Sequence, residues 1–223
     1  MFDCGERNLH TKVNHFRNWA KNNYPEITEK NDNGEWCFGD EFDEMISEAI
    51  SFIEENFAEK ATQQIIDDLL YAIARDNECS MIMDELERHS EWFSLLCRCS
   101  LNTAYINAQW QFVEYLSNYQ GDDNLRELVF EFLNTGDEYT ERLALKTLAD
   151  IYPEEAEKYA IDFWNRKKYE YDEYQKIMVL HVLYQIHSPQ LQFYLEMAEQ
   201  THYKYLKTNA QEIIKKIQAE TTL

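Results

Sequence analysis

Few residues of this sequence have the type and spacing that acid–base catalysis requires. Glu85 and His89 lie four positions apart, which places both on one face of a helix, where a carboxylate could orient an imidazole as a general base. The same spacing more often gives a surface hydrogen bond between the two side chains. We favour the hydrogen bond and predict no catalytic residue.

Metal and nucleotide sites have no stronger support. Asp67 with Asp68, and Asp122 with Asp123, offer carboxylate oxygens of the kind that bind divalent cations, but adjacent acids are also common on solvated helices and near helix N-termini. The six histidines form no HExxH motif, and the 5 glycines form neither GxGxxG nor GxxxxGK[ST]. The sequence therefore predicts no metal and no cofactor.

The composition favours helices. Only 5 of 223 residues are glycine and 3 are proline, too few for the tight turns of an all-β protein. Five cysteines, odd in number and without a CxxC pair, are typical of reduced thiols. No signal-peptide pattern and no apolar run of about 20 residues is present, so we expect a cytoplasmic protein that does not bind membranes.

The amino-terminal segment is the least regular part of the chain. Residues 1–40 are predicted to form a cap, with a helix over 9–22 followed by a loop that Trp36 and Phe38 attach to the body. From Asp40 the apolar residues follow a period of 3.6, and Asp40 itself is a plausible N-cap.

Internal repetition marks the rest of the chain, and it is clearest over 101–219. Apolar triplets recur every 31 to 36 residues: Ala108, Phe112, Tyr115; Ala144, Leu148, Ile151; Val179, Leu183, Ile186; and Ala210, Ile214, Ile217. Pro153 and Pro189 are each predicted to open a second helix, with Ser188 as the N-cap before Pro189. An earlier partner helix is expected over 123–134.

The stretch 138–164 resembles a HEAT repeat, with a polar start, a small residue at Ala144, inward leucines and a proline-led second helix. The resemblance implies an all-α fold in which residues 41–223 form a single elongated domain, a right-handed α-solenoid of antiparallel helix pairs. It also implies a binding scaffold rather than an enzyme.

Acidic residues outnumber basic ones by 42 to 21, which gives a net charge of −21. Nucleic-acid binding draws on lysine and arginine, so this charge has the wrong sign for it, as it does for an anionic membrane. A basic protein is the natural electrostatic partner. Solubility alone is the competing explanation.

Two patches are predicted to bind such a partner. Segment 40–59 carries eight acids and no base, and the residues chosen from it are Glu41, Glu44, Glu48 and Glu55. The second patch mixes aromatic and acidic residues, as interface hot spots do: Asp162, Trp164, Tyr169, Tyr171, Asp172 and Glu173. The alternatives are a solvated helix face for the first patch and rings packed between repeats for the second.

This small, highly acidic profile resembles the immunity proteins of bacterial contact-dependent and polymorphic toxin systems. That resemblance implies a cytoplasmic inhibitor that blocks a basic toxin, with a nuclease as the expected toxin. A general adaptor remains an alternative, and so does a HEAT-like DNA glycosylase. The glycosylases need a basic groove, whereas the densest basic stretch, within 154–176, has a net negative charge.

Overall fold

The computed structural model describes residues 4–25, 39–119 and 122–221, and these residues form helices and no strand. The all-α prediction is therefore confirmed for the described part of the chain. The predicted loop with Trp36 and Phe38 lies outside it. The chain divides into two compact units, Met1–Leu128 and Val129–Leu223.

The helices of the first unit are α1 (Cys4–Asn23), α2 (Asp40–Glu55), α3 (Gln63–Arg75), α4 (Met81–Leu86), α5 (Ser90–Ser100), α6 (Ile106–Tyr115) and α7 (Asp123–Arg126). Those of the second unit are α8 (Val129–Phe132), α9 (Glu138–Ile151), α10 (Pro153–Asn165), α11 (Glu173–Gln185), α12 (Leu191–Gln200) and α13 (Lys204–Thr221). Single 3-10 turns occupy Ala58–Lys60 and Leu116–Asn118.

Helix α1 is an integral part of the first unit. It packs against α2 and α3, and the apolar side chains of Leu9, Val13 and Phe16 are fully buried. The Phe16 ring makes edge contacts with Phe42 of α2 and Tyr71 of α3, at centroid distances of 6.1 and 6.3 Å. Removing so much apolar surface from water ties the predicted cap helix to the unit's core.

The second unit repeats one packing arrangement. Helix α9 contacts α10 and α11, and α11 in turn contacts α12 and α13. The first residues of the predicted apolar triplets in this unit, Ala144, Val179 and Ala210, are all fully buried. These register-equivalent positions therefore occupy equivalent places in the core.

Some helix boundaries differ from the predictions. Pro153 opens α10 as expected, but α12 begins at Leu191, and the Ser188 hydroxyl accepts from the Gln190 N–H in a turn before the helix. Gly39, rather than Asp40, is the N-cap of α2. The helix predicted over 123–134 is two short helices, because the Leu128 N–H donates to the oxygen of Leu125, three residues back, which tightens and ends α7.

Candidate partner-binding surfaces

One face of α2 forms an acidic stripe. The helix buries Phe42, Met45, Ala49 and Phe52 against the first unit, so the opposite face meets solvent. That face carries, at helical spacing, Asp40, Asp43, Glu44, Ser47, Ser51, Glu54 and Glu55. Amphipathic patterning of α2 thus displays carboxylates at both ends of the stripe, with serines between them.

Helix α1 neutralises part of this face. The Lys12 ammonium lies 2.8 Å from the Glu44 carboxylate, and the His15 ring lies 3.9 Å from it. The hydrogen bond and charge of Lys12 lower the pKa of Glu44. Asn8 donates to Glu48. Two of the four predicted binding residues on α2 therefore already have partners within the chain, which the sequence did not reveal.

The remaining carboxylates are open to a ligand. Asp43, Glu54 and Glu55 are exposed, and among the described residues none of them forms an ion pair. Glu41 is half-buried. Glu48 and Glu55 also line an open groove of about 690 Å³ between α1 and α2, together with Arg7 and Thr11. Of the two carboxylates in this groove, Glu55 has no ion-pair partner among the described residues, whereas Glu48 accepts the hydrogen bond from Asn8.

The second predicted patch is largely structural. Trp164 is buried, and its ring makes an edge contact with Tyr194 at 5.0 Å. Glu173 is buried as well, and its carboxylate accepts the N–H groups of Tyr205 and Leu206, at 2.6 and 3.0 Å. Burial raises the pKa of Glu173, but these bonds and one from Tyr171 hold it below its ordinary value. Glu173 caps α13, and neither it nor Trp164 is an open contact residue.

Two basic residues within the sequence span of the second predicted patch, Arg166 and Lys168, form ion pairs with a buried acid. The Glu141 carboxylate of α9 is fully buried, with the Arg166 guanidinium at 2.9 Å and the Lys168 ammonium at 2.5 Å. The Gly136 N–H donates to the same carboxylate at 2.8 Å. Burial, followed by the neighbouring Glu141 carboxylate, raises the pKa of the Tyr169 hydroxyl. The segment after α10 is thus fastened to α9 by charge.

Asp172 is held in the same way. Its carboxylate lies 2.7 Å from the Lys176 ammonium one turn later. Burial raises the pKa of Asp172, but hydrogen bonds from Lys176 and Tyr203 outweigh it and leave the pKa lowered. Of the six residues predicted in this patch, Asp162 and Tyr171 are the exposed ones, and Tyr169 and Asp172 are half-buried.

A row of tyrosines, here called the tyrosine ladder, lies on the surface of the second unit. Tyr139, Tyr174 and Tyr205 are each the second residue of their helices α9, α11 and α13. Their side chains are 41%, 48% and 54% exposed. The sequence separations, 35 and 31 residues, equal those of the apolar triplets, so the repeat itself places the three rings on one face.

Ring contacts join Tyr174 and Tyr205 of the ladder to each other and to neighbouring tyrosines. Tyr174 and Tyr205 lie nearly parallel, with centroids 6.5 Å apart and an angle of 18°. Tyr171 contacts Tyr174 and Tyr203, at 5.8 Å in both cases. The sequence patch included Tyr171 but missed Tyr139 and Tyr205. Their equal positions within the repeat were the signal that would have found them.

The candidate acid–base pair does form a hydrogen bond, but in a different setting from the one expected. His89 lies 2.9 Å from the Glu85 carboxylate, which is buried and also bound by Arg88. His89 lines a cavity of about 380 Å³ with Phe57 and Trp92. The carboxylate fixes the orientation of the imidazole, and its charge is compensated by Arg88.

The two pairs of adjacent aspartates form ion pairs and a helix cap within the chain. Asp67 lies 3.1 Å from the Arg17 guanidinium, and Asp68 lies 2.8 Å from the His10 ring. The Asp122 side chain caps α7, and Asp123 lies 3.4 Å from the Arg126 guanidinium. Within the described ranges, no group of three or more histidine, cysteine or acidic side chains is arranged to hold a metal ion.

Among residues 4–25, 39–119 and 122–221 there is no helix with the length and hydropathy that spanning a bilayer requires. Comparison of the chain with protein-family models, with curated proteins and with solved structures gives no match.

Proposed function

We propose that this protein is a non-catalytic, acidic binding protein whose partner is a basic protein. The observation that carries the proposal is the set of exposed carboxylates on α2, at Asp43, Glu54 and Glu55, which have no ion-pair partner among the described residues. Like charges three or four residues apart on a helix, as at Asp40 and Asp43, repel each other by a few tenths of a kcal/mol per pair. A cationic ligand removes that repulsion.

Charge distribution supports the same partner. The first unit contains 26 acidic and 10 basic residues, a net of −16, whereas the second contains 16 and 11, a net of −5. A concentrated negative field attracts a cationic surface over a distance and raises the association rate. The first unit therefore supplies the electrostatic attraction in this proposal.

The concrete form of the proposal is an immunity protein that acts in the bacterial cytoplasm and blocks a basic toxin, such as a nuclease. In this form the second unit belongs to a right-handed, HEAT-like α-solenoid. The succession of contacts from α9 to α11 and from α11 to α13 supports repeated stacking. Carboxylates that meet a nuclease's phosphate-binding site would exclude its substrate.

A nucleic-acid enzyme is disfavoured by the ion pairs of the second unit. Three cations of the densest basic stretch are committed within the chain, since Arg166 and Lys168 contact Glu141 and Lys176 contacts Asp172. Phosphate contacts would require these groups to leave their carboxylates. A general adaptor, the other alternative, would bind several partners weakly.

The test is capture of partners from a lysate of the native host at low salt, followed by mass spectrometry. We expect one stoichiometric basic protein that is released when salt is raised. Recovery of many weak partners would support an adaptor instead, and recovery of nucleic acid would support an enzyme. Either result would overturn the proposal.

Once that partner is known, neutralisation of α2 tests where it binds. The variant D43N/E54Q/E55Q is expected to slow association about tenfold at low salt and to flatten its salt dependence. The matched control, E196Q/E199Q/E212Q, removes three exposed charges from the second unit. Equal slowing by both variants would show a net-charge effect and not a site on α2.

A further inference from the structure

Two successive helical pairs carry the same three-residue arrangement, with one difference. At the start of α9 it consists of Glu138, Tyr139 and Arg142. The residues 35 positions later, at the start of α11, are Glu173, Tyr174 and Ile177. Acid and tyrosine recur, but the cation of the first copy is an isoleucine in the second.

In the first copy the chain supplies its own cation to the ladder. The Arg142 guanidinium lies 4.9 Å from the centroid of Tyr139 and 5.6 Å from that of Tyr174, so it lies within cation–π range of both rings. Its Nε also donates to Glu138 at 3.0 Å. One guanidinium thus joins two tyrosines and one carboxylate.

The second copy has tyrosine rings and the carboxylate of Glu173, but isoleucine stands where the first copy has Arg142. Tyr174 and Tyr205 are about half exposed and nearly parallel, and Glu173 lies at the base of both helices. Within the described chain no lysine or arginine forms an ion pair with Glu173. Lys176, the nearest cation in sequence, pairs with Asp172 and lies over Tyr203, 5.6 Å from its centroid.

We infer that the Tyr174–Tyr205 step of the ladder, with the charge of Glu173 beneath it, binds an arginine side chain of the basic partner in the way that Arg142 occupies the preceding step. The inference rests on the proposed function and names the side chain that the partner contributes. The centroids are 6.5 Å apart, so one guanidinium can lie within about 6 Å of both.

Arginine fits this step better than lysine. Its guanidinium is planar and weakly hydrated, so it stacks on aromatic faces at a smaller desolvation cost than a compact ammonium group. Tyrosine and arginine are also the residue types enriched where interfaces carry most of their binding energy. The ladder therefore selects for a flat cation.

The direct test uses N-acetyl-arginine amide as the probe and the full chain with ¹³C-labelled tyrosine rings. We expect saturable NMR shifts of the Tyr174 and Tyr205 ring signals, and unchanged signals from Tyr115 in the first unit. The matched probe is N-acetyl-citrulline amide, which has the same shape without the charge. Equal shifts with citrulline, or no shifts at Tyr174 and Tyr205, would overturn the inference.

A second test uses a variant in which the chain's own arginine would occupy the proposed site, while Tyr174 and Tyr205 are unchanged. In Ile177→Arg the new guanidinium lies three residues after Tyr174 and four after Glu173, as Arg142 does relative to Tyr139 and Glu138. It should fill the step and weaken binding of the arginine probe at least tenfold. Ile177→Lys should weaken it less, and Phe193→Ala, an exposed aromatic elsewhere in the unit, should leave it unchanged.

The outcomes separate this inference from the proposed function. If the lysate capture yields a basic protein but the arginine probe leaves Tyr174 and Tyr205 unaffected, the function stands and the ladder site fails. If the probe binds with the expected pattern but no basic protein is captured, the site stands and the proposed function fails. Probe binding that is unaltered in Ile177→Arg would also reject the site.

Discussion

The acidic stripe of α2 and the segment 162–173 look similar in sequence, since both are rich in acids that lie close together, but they differ in structure. On α2, Asp43, Glu54 and Glu55 face solvent. In the other segment Glu173 is buried as a helix cap, and Asp172 is paired with Lys176. The first region displays charge, whereas the second uses charge to fasten the chain.

The physical difference is the presence of nearby cations. The segment 40–59 contains no lysine or arginine, and within the described part of the chain Lys12 of α1 is the lysine that pairs with one of its acids. Around residues 162–173 lysines and arginines lie among the acids, and buried carboxylates require a counter-charge or hydrogen-bond donors because desolvation of an unpaired charge is costly. The residues of this segment that remain exposed are of mixed kind, with Tyr171 beside Asp162, Lys167 and Glu170.

The largest effect is expected where charge is most buried. Glu141→Gln should lower the free energy of unfolding by about 3 to 5 kcal/mol, because it leaves the nearly buried Arg166 guanidinium without a counter-charge. Urea-induced unfolding of the full chain measures the change. Glu199→Gln, an exposed acid on α12, should change stability by less than about 0.5 kcal/mol.

Comparable stability of the Glu141→Gln and Glu199→Gln variants would contradict the contrast drawn between the α2 stripe and the segment 162–173. It would show that the carboxylate of Glu141 does not fasten the segment after α10, and that the two regions differ in exposure alone.

The interior of the first unit offers a contrasting buried acid. Asp76, directly after α3, is fully buried, and its carboxylate accepts the Ile82 N–H at 2.7 Å. Burial raises the pKa of Asp76 to about 7, against the lowering effect of the N–H groups of Ile82 and Met81. Its unfolded value is about 3.9. The folded chain therefore binds more protons between these two pH values.

Stability should consequently fall as pH rises from about 4 to about 7, by at most about 1.4 kcal/mol per pH unit from this group. Asp76→Asn should lack that contribution, so wild type and variant diverge steadily across the window. Urea unfolding at several pH values between 4 and 7 measures the divergence. A constant difference between the two proteins would show that Asp76 does not titrate there.

The smallest effect concerns the neutralised end of the acidic stripe. Replacing Lys12 by Gln removes the hydrogen bond and charge that lower the pKa of Glu44, so that pKa should rise toward its ordinary value. A ¹³C NMR titration of the Glu44 carboxyl carbon measures it. Arg7→Gln, which removes a cation elsewhere on α1, is the control and should have a smaller effect.

If the pKa of Glu44 is the same in wild type and in Lys12→Gln, α1 does not neutralise the stripe in solution. The whole of the α2 face would then be open to a partner, and the contrast between its two ends would disappear.

Several core positions of the second unit could be predicted because they depend on local spacing. Ala144, Val179 and Ala210 were identified by period alone, and all three are buried at helix contacts. Boundaries were less accurate, as at Ser188 and Pro189, because a hydroxyl can accept an N–H within a turn as well as at a helix start. Sequence spacing does not distinguish these two uses.

Site residues were harder to predict, because a side chain's role depends on what lies opposite it. Glu44 and Glu48 were chosen for their charge, but Lys12 and Asn8, more than 30 residues away, contact them. Trp164 was chosen as an exposed anchor, but it packs on Tyr194 in the core. The local sequence pattern around Glu44, Glu48 and Trp164 gives no indication of these distant partners.

The sequence by itself determined the helical class, the repeat period and the acidic charge, since each follows from composition or from the 3.6-residue period. Only the tertiary structure decided which carboxylates are exposed and which are paired, and which of the tyrosine rings lie in contact. Burial and ion pairing arise between residues distant in the chain, so they depend on how the helices pack.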